Sequence, residues 1–207
     1  MSKTGGGKGT NQYQVRGVGR VSRQSTDVLA DLAVEDDVSS RLDLAADWHT
    51  PPDVLERLVT DPNRYVRAAV ARNSRTPLAA LARLAEDEDW YVRAWAAENP
   101  YTPAASLKQL AADEETEVRL ALAVNRHTLP DVLERLAADK EADVRSWVAR
   151  NTRTSPAVLA HLAKDVDPNV RKWVARNRRT PIEALVKLSE DIDWGVRIAA
   201  RPGVAWL

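Results

Sequence analysis

The 207-residue chain contains no cysteine and no phenylalanine, and aromatic side chains occupy only 5% of its positions. The absence of cysteine rules out a disulfide framework and any thiolate metal site. No apolar run approaches the roughly eighteen residues that a membrane-spanning helix needs. The N-terminus also lacks the apolar core of a secretory signal, so a cytoplasmic location is the expectation. With so few aromatics, a core has to be built mostly from Leu, Val and Ala.

Glycine is scarce as well, and six of the eight glycines fall within the first 23 residues. That stretch also holds Lys3, Lys8, Arg16, Arg20 and Arg23 and no acid, so residues 1–23 are read as a flexible basic tail. Its GGGKGT is not a phosphate-binding loop. That motif places four residues between its first glycine and a Gly-Lys-Thr or Gly-Lys-Ser, after a strand, whereas here the order is Lys-Gly-Thr and no strand precedes it.

What is present is periodic. Steps of twenty-six residues connect Val66, Val92, Val118, Val144, Val170 and Val196, and each valine is followed by an arginine. The same step gives an asparagine column (Asn73, Asn99, Asn125, Asn151, Asn177, with Asp47 in the first place) and a threonine column from Thr50 to Thr180. Leucine columns run from Leu29 to Leu185 and from Leu32 to Leu188, and an aspartate column runs from Asp61 to Asp191. A period of this length signals stacked helical units.

Each column has a local reason. Thr followed by Pro marks a helix start, the hydroxyl accepting from a free backbone N–H and the proline losing no bond there. One helix is therefore expected from about Pro77 to Glu86 and its equivalents. Its leucines, three apart, form a stripe that only neighbouring units can bury. A second helix, such as Trp90 to Glu98, follows an acidic residue and ends near the Asn, which tolerates the left-handed conformation common beyond helix ends. The Arg and Asp columns, six residues apart as in Asp165 and Arg171, read as an exposed structural ladder.

The order VRxxVAxN, Thr-Pro, LxxLAxD, seen here as VRAAVARNSRTPLAALARLAED, resembles the leucine-rich repeat variant family, a relative of the HEAT-like helical repeats. The resemblance covers Gln24 to Ala205 as seven units. It implies an all-α fold, a right-handed α-solenoid of two-helix repeats, in which one helix of each pair can be 3₁₀ in character. Some members carry a cysteine-ligated iron–sulfur cluster, a feature that cannot carry over to a chain without cysteine, and no cofactor is expected. Residues 24–49 read as a degenerate N-terminal cap repeat, with Ser40 in the valine column. Residues 196–207 read as a C-terminal cap in which Pro202 and Gly203 stop the last helix and Ala205, Trp206 and Leu207 fold back.

The net charge of zero conceals a polarity. Residues 24–143 hold 13 basic and 24 acidic side chains (−11), whereas residues 144–187 hold 10 basic and 3 acidic (+7). The columns that vary between units carry the functional information, because stacking does not dictate them. On a wheel of about 100° per residue, the third and sixth positions after the valine turn away from the buried edge. They hold Trp147 with Arg150 and Trp173 with Arg176, followed in the turns by Arg153, Arg178 and Arg179. These seven residues are the candidate partner-binding site, a basic, Trp-containing surface suited to an acidic protein or, alternatively, to a nucleic acid. His49, His127 and His161 form no ligand cluster and no nucleophile motif appears, so the expected function is a non-enzymatic binding scaffold with no small-molecule substrate and no membrane partner.

Overall fold

The computed structural model describes residues 37–204, and in that span every regular element is an α-helix. Nine-residue and seven-residue helices alternate: α1 (Val38–Ala46), α2 (Pro52–Leu58), α3 (Arg64–Arg72), α4 (Leu78–Leu84), α5 (Trp90–Glu98), α6 (Ala104–Leu110) and α7 (Thr116–Val124). The series continues through α8 (Pro130–Leu136), α9 (Ala142–Arg150), α10 (Pro156–Leu162), α11 (Pro168–Arg176), the eight-residue α12 (Ile182–Ser189) and the eleven-residue α13 (Trp194–Val204). The second helix type matches its expected bounds at Trp90–Glu98, and the first is shorter than expected, Leu78–Leu84. Both types are α-helical. The tail, residues 1–23, lies outside the described residues, as do the first leucines of the two columns and Ala205 to Leu207.

The core runs along the whole array. Val66, Val92, Val118, Val144, Val170 and Val196 are fully buried, and the described leucines of both columns are at most 9% exposed. Nine-residue helices of successive units pack directly on one another, while the seven-residue helices meet chiefly the nine-residue helices on either side. The solenoid is a two-layer stack with one continuous apolar seam, and the closer-packed row of nine-residue helices forms its inner layer.

Three columns act differently from expectation. The threonines are buried and do not cap the helix that follows. Thr50, Thr128 and Thr180 donate their hydroxyls to Leu44 O, Leu122 O and Val174 O, 2.6, 2.7 and 2.6 Å away, closing the end of the preceding nine-residue helix. The asparagines are extended, not left-handed: Asn99 has φ −68° and ψ 125°. Their value is tertiary, because Asn99 Nδ2 donates to Ala71 O at 2.7 Å and Asn73 O at 3.1 Å in the preceding unit, and Asn151 and Asn177 repeat the arrangement.

The arginine ladder is buried, not exposed, and skips its expected partner. Each arginine from Arg41 to Arg171 grips the aspartate twenty residues ahead through Nε, as in Arg119–Asp139 at 2.6 Å and Arg145–Asp165 at 2.6 Å, with Nη2 completing the fork. The aspartate six residues back supplies only its carbonyl, as in Arg171 Nη1 to Asp165 O at 2.8 Å. Across the six pairs the arginine side chains are 7–13% exposed and the aspartates 3–10%.

The C-terminal end also departs from expectation, since α13 continues through Pro202 and Gly203 to Val204. Gly203 is there for space: a Cβ on it would lie 2.7 Å from Leu185 Cδ1 on α12. Its role is close helix approach, not helix termination.

Candidate functional site

On the nine-residue helices the third and sixth positions after the valine face the inner side, half-exposed above the seam. Trp147 on α9 and Trp173 on α11 pack their lower edges against the buried core and are half-buried, while Arg150 and Arg176, one turn further along, are exposed. Stacking of the units brings these four side chains into one line. The Arg150 guanidinium carbon lies 3.8 Å from the Trp147 ring centroid and 4.1 Å from that of Trp173, so it is held between two indoles from successive helices. Arg176 continues the line at 5.1 Å from Trp173. Cation–π contacts at exposed sites contribute about 0.5–1 kcal/mol each, and two on one guanidinium favour a single direction for a flexible arginine.

The remaining candidates sit in the turns after these helices. Arg153 Nη1 reaches back one unit to His127 O at 3.2 Å, and Arg179 Nη1 does the same to Thr152 O at 3.3 Å. Arg178 is exposed beside Arg179 and forms no hydrogen bond or ion pair with another described residue. The structure thus joins Trp147, Arg150, Trp173 and Arg176 into one ladder and sets Arg153, Arg178 and Arg179 along its border.

One acid shares this face: Asp143, exposed on α9 one residue before Val144, stands one turn before Trp147. Of the three acids in residues 144–187, Asp165 is held by Arg145 and Asp167 caps α11 by accepting from Asn169 N at 2.7 Å. Glu183 stands on a seven-residue-type helix of the other layer. Neither Arg150 nor Arg176 forms an ion pair or hydrogen bond with another described residue, so their guanidinium edges remain free to donate to a partner.

Among the described residues no group of three potential metal ligands comes together, and no helix is long and apolar enough to cross a membrane. His49 is occupied locally, its Nδ1 lying 3.1 Å from Asp47 Oδ1.

The sequence profile of the leucine-rich repeat variant family matches residues 64–89 and 90–115. A solved structure described as a leucine-rich repeat variant with a novel repetitive protein structural motif superposes with a TM-score of 0.67 at 30% identity, over 86% of this chain and 70% of the other. The chain belongs to the leucine-rich repeat variant family. A more distant likeness, to YibA of E. coli, has a TM-score of 0.47 at 20% identity over 98% of this chain and 77% of the other, and carries no argument. No curated protein sequence matches the chain. Membership of the family accounts for the helical scaffold.

One feature of the inner face escaped the reading of positions three and six. Tyr65 and Tyr91 stand one residue before their valines, and on the same wheel that place lies about 20° from position six. Their rings are 5.9 Å apart in a T-shaped pair, and Tyr91 meets Trp95 at 6.2 Å. The signal was available as aromatic residues in a varying column.

Proposed function

We propose that this protein is a non-enzymatic binding scaffold, acting in the cytoplasm, that engages an acidic protein surface through Trp147, Arg150, Trp173 and Arg176, with Arg153, Arg178 and Arg179 at the border. The observation that carries this reading is Arg150 clamped between two indoles. Its orientation is set before any partner arrives, so little side-chain entropy is lost on binding, and its charge forms no ion pair with another described residue. Trp and Arg are also the side chains over-represented at the energetic centres of protein interfaces. The same contacts weigh against a single-stranded nucleic acid, whose bases need open aromatic faces to stack on, because Arg150 and Arg176 cover those faces.

The test is capture of partners from extract of the native host, with nuclease treatment as control, by the native chain and by the Arg150→Glu, Arg176→Glu, Arg179→Glu variant. Loss of a protein partner in the variant, with helicity intact and nuclease without effect, is the expected result. The matched reversal of Arg72, Arg75 and Arg83 in the acidic half decides the location; an equal loss there would remove the patch as the site. Capture that nuclease abolishes and that falls steeply with salt would instead support a phosphate-driven interaction.

A further inference from the structure

The buried column of arginines and aspartates finishes on an open rung. From Arg41 to Arg171 each arginine of the column sets Nε and Nη2 on the aspartate twenty residues ahead. The seventh, Arg197 on α13, is anchored in the same way up to that last step. Its Nη1 donates to Asp191 O at 2.7 Å and to Ile192 O at 2.9 Å, as Arg171 Nη1 donates to Asp165 O at 2.8 Å and to Val166 O at 3.1 Å. Its Nε and Nη2 donate to no other described residue. The guanidinium is thus held by one edge and presents the other, with its direction set before a ligand arrives.

A second cation stands beside it. Arg201 lies one turn further along α13, and residues four apart share a helix face. Its column holds alanine in the six units before it, from Ala45 and Ala71 to Ala149 and Ala175, and those methyls are at most 7% exposed. Arg201 is exposed and forms no hydrogen bond or ion pair with another described residue. The acids nearest in sequence leave both arginines without a counter-charge. Asp191 is gripped by Arg171 at 2.7 Å, Asp193 accepts from Val196 N at 3.0 Å, and Glu190, exposed at the end of α12, pairs with neither.

The six filled rungs show what fits the open one. In each a carboxylate meets Nε at 2.6 or 2.7 Å, with Nη2 alongside, a fork that a guanidinium matches and an ammonium does not. Where another acid follows the aspartate it also comes near, as Glu88 Oε1 does at 3.8 Å from Arg67 Nη2. We propose that Arg197 and Arg201 form a receptor for an acidic segment of a partner protein, an aspartate seated in the Arg197 fork and a neighbouring carboxylate on Arg201. The site lies on α13, apart from the indole and guanidinium ladder of α9 and α11, and does not depend on it.

The experiment follows the arginine Nε–H signals of the isotope-labelled full chain by NMR, with Arg197→Lys identifying the Arg197 signal by its loss. The probe is a peptide with blocked ends, Leu-Ala-Glu-Asp-Glu-Asp, which copies residues 84–89. In the free chain the Arg197 Nε–H should exchange with water faster than that of Arg171. The peptide should shift the Arg197 signal saturably and slow its exchange, leaving Arg171 unmoved. Asn and Gln in place of the acids should weaken binding about tenfold or more. Arg197→Lys, which keeps the charge and loses the fork, should do the same with helicity intact, and Arg201→Ala should weaken binding by a smaller factor. Arg150→Glu should leave it unchanged, which keeps this outcome separate from the fate of the Trp147 and Trp173 surface. Full affinity in Arg197→Lys would reduce the effect to charge and overturn the proposal. Equal binding of the Asn/Gln peptide would do the same, as would tighter binding of a peptide with phosphoserine in place of Asp. An Arg197 signal as protected in the free chain as that of Arg171 would mean that residues outside 37–204 already fill the fork, and would also overturn it.

Discussion

At the head of the asparagine column one carboxylate stands where the next five units have an amide. Asp47 is 4% exposed; its Oδ1 accepts from His49 N at 2.8 Å, and its Oδ2 is buried with no hydrogen-bond partner among the described residues. A buried charge without a donor is costly, and a neutral amide in its place is less so. Asp47→Asn should therefore raise stability by about 1–3 kcal/mol, read as a higher midpoint in thermal melts. A fall would mean that this oxygen meets a donor from outside residues 37–204. The arginine ladder gives the opposite case. Arg119→Ala strands Asp139, a buried carboxylate, and should cost about 3–5 kcal/mol. Arg83→Ala, which removes the exposed pair with Glu56 at 2.9 Å, should cost less than about 1 kcal/mol. Urea melts of the two variants separate a buried fork from a surface pair.

None of the helices, at seven to eleven residues, is long enough to persist alone in water. Each is held by its neighbours, so core changes should be felt through the stack. Leu133 on α8 is fully buried between units, and Leu133→Ala should cost about 2–5 kcal/mol, with hydrogen exchange rising in the adjoining helices as well as in α8. At the end of the array the effect should be confined. Gly203→Ala forces a methyl against Leu185, so α13 should lose exchange protection relative to α9 while the rest of the stack keeps its own. Uniform loss across all helices would show that the array unfolds as one unit.

Over the whole molecule the ladder ties unit to unit by charge, and this sets a pH response. Burial pushes the carboxyls of Asp113, Asp139 and Asp165 up, but the hydrogen bonds from their arginines and from the backbone N–H two residues on outweigh it, and the net displacement is downward. For Asp191 the bond from Arg171 dominates, with the same result. A carboxyl depressed in the folded state stabilises it above the unfolded value, about 3.9, and the contribution is lost as pH falls through the folded value. The thermal midpoint should be flat from neutral pH to about 5 and fall steeply below about 4. Asp139→Asn should lower the midpoint at neutral pH and make the acid slope shallower. An unchanged slope in that variant would show that this pair does not set the acid limit. The same scale holds the polarity of −11 over residues 24–143 against +7 over residues 144–187, an asymmetry that steers charged partners along the array.

The sequence by itself determined the repeat, its length, the helix pairs and the leucine and valine seam, because those features rest on local periodicity that a twenty-six-residue step makes visible. The Trp and Arg columns at positions three and six were legible for the same reason. Partner choice was not. Arg119 has an aspartate six residues before it and another twenty after it, and only the stacking of units decides that the carboxylate it grips is the later one. Thr128 looked like a cap for the helix it precedes, and packing instead turned its hydroxyl onto the helix behind. Arg150 could not be seen from the sequence to lie between Trp147 and Trp173, because the second indole arrives from the next unit. The meeting of Tyr65 and Tyr91 has the same origin: a column names the residues, but what each one touches depends on what the neighbouring helix presents across the gap.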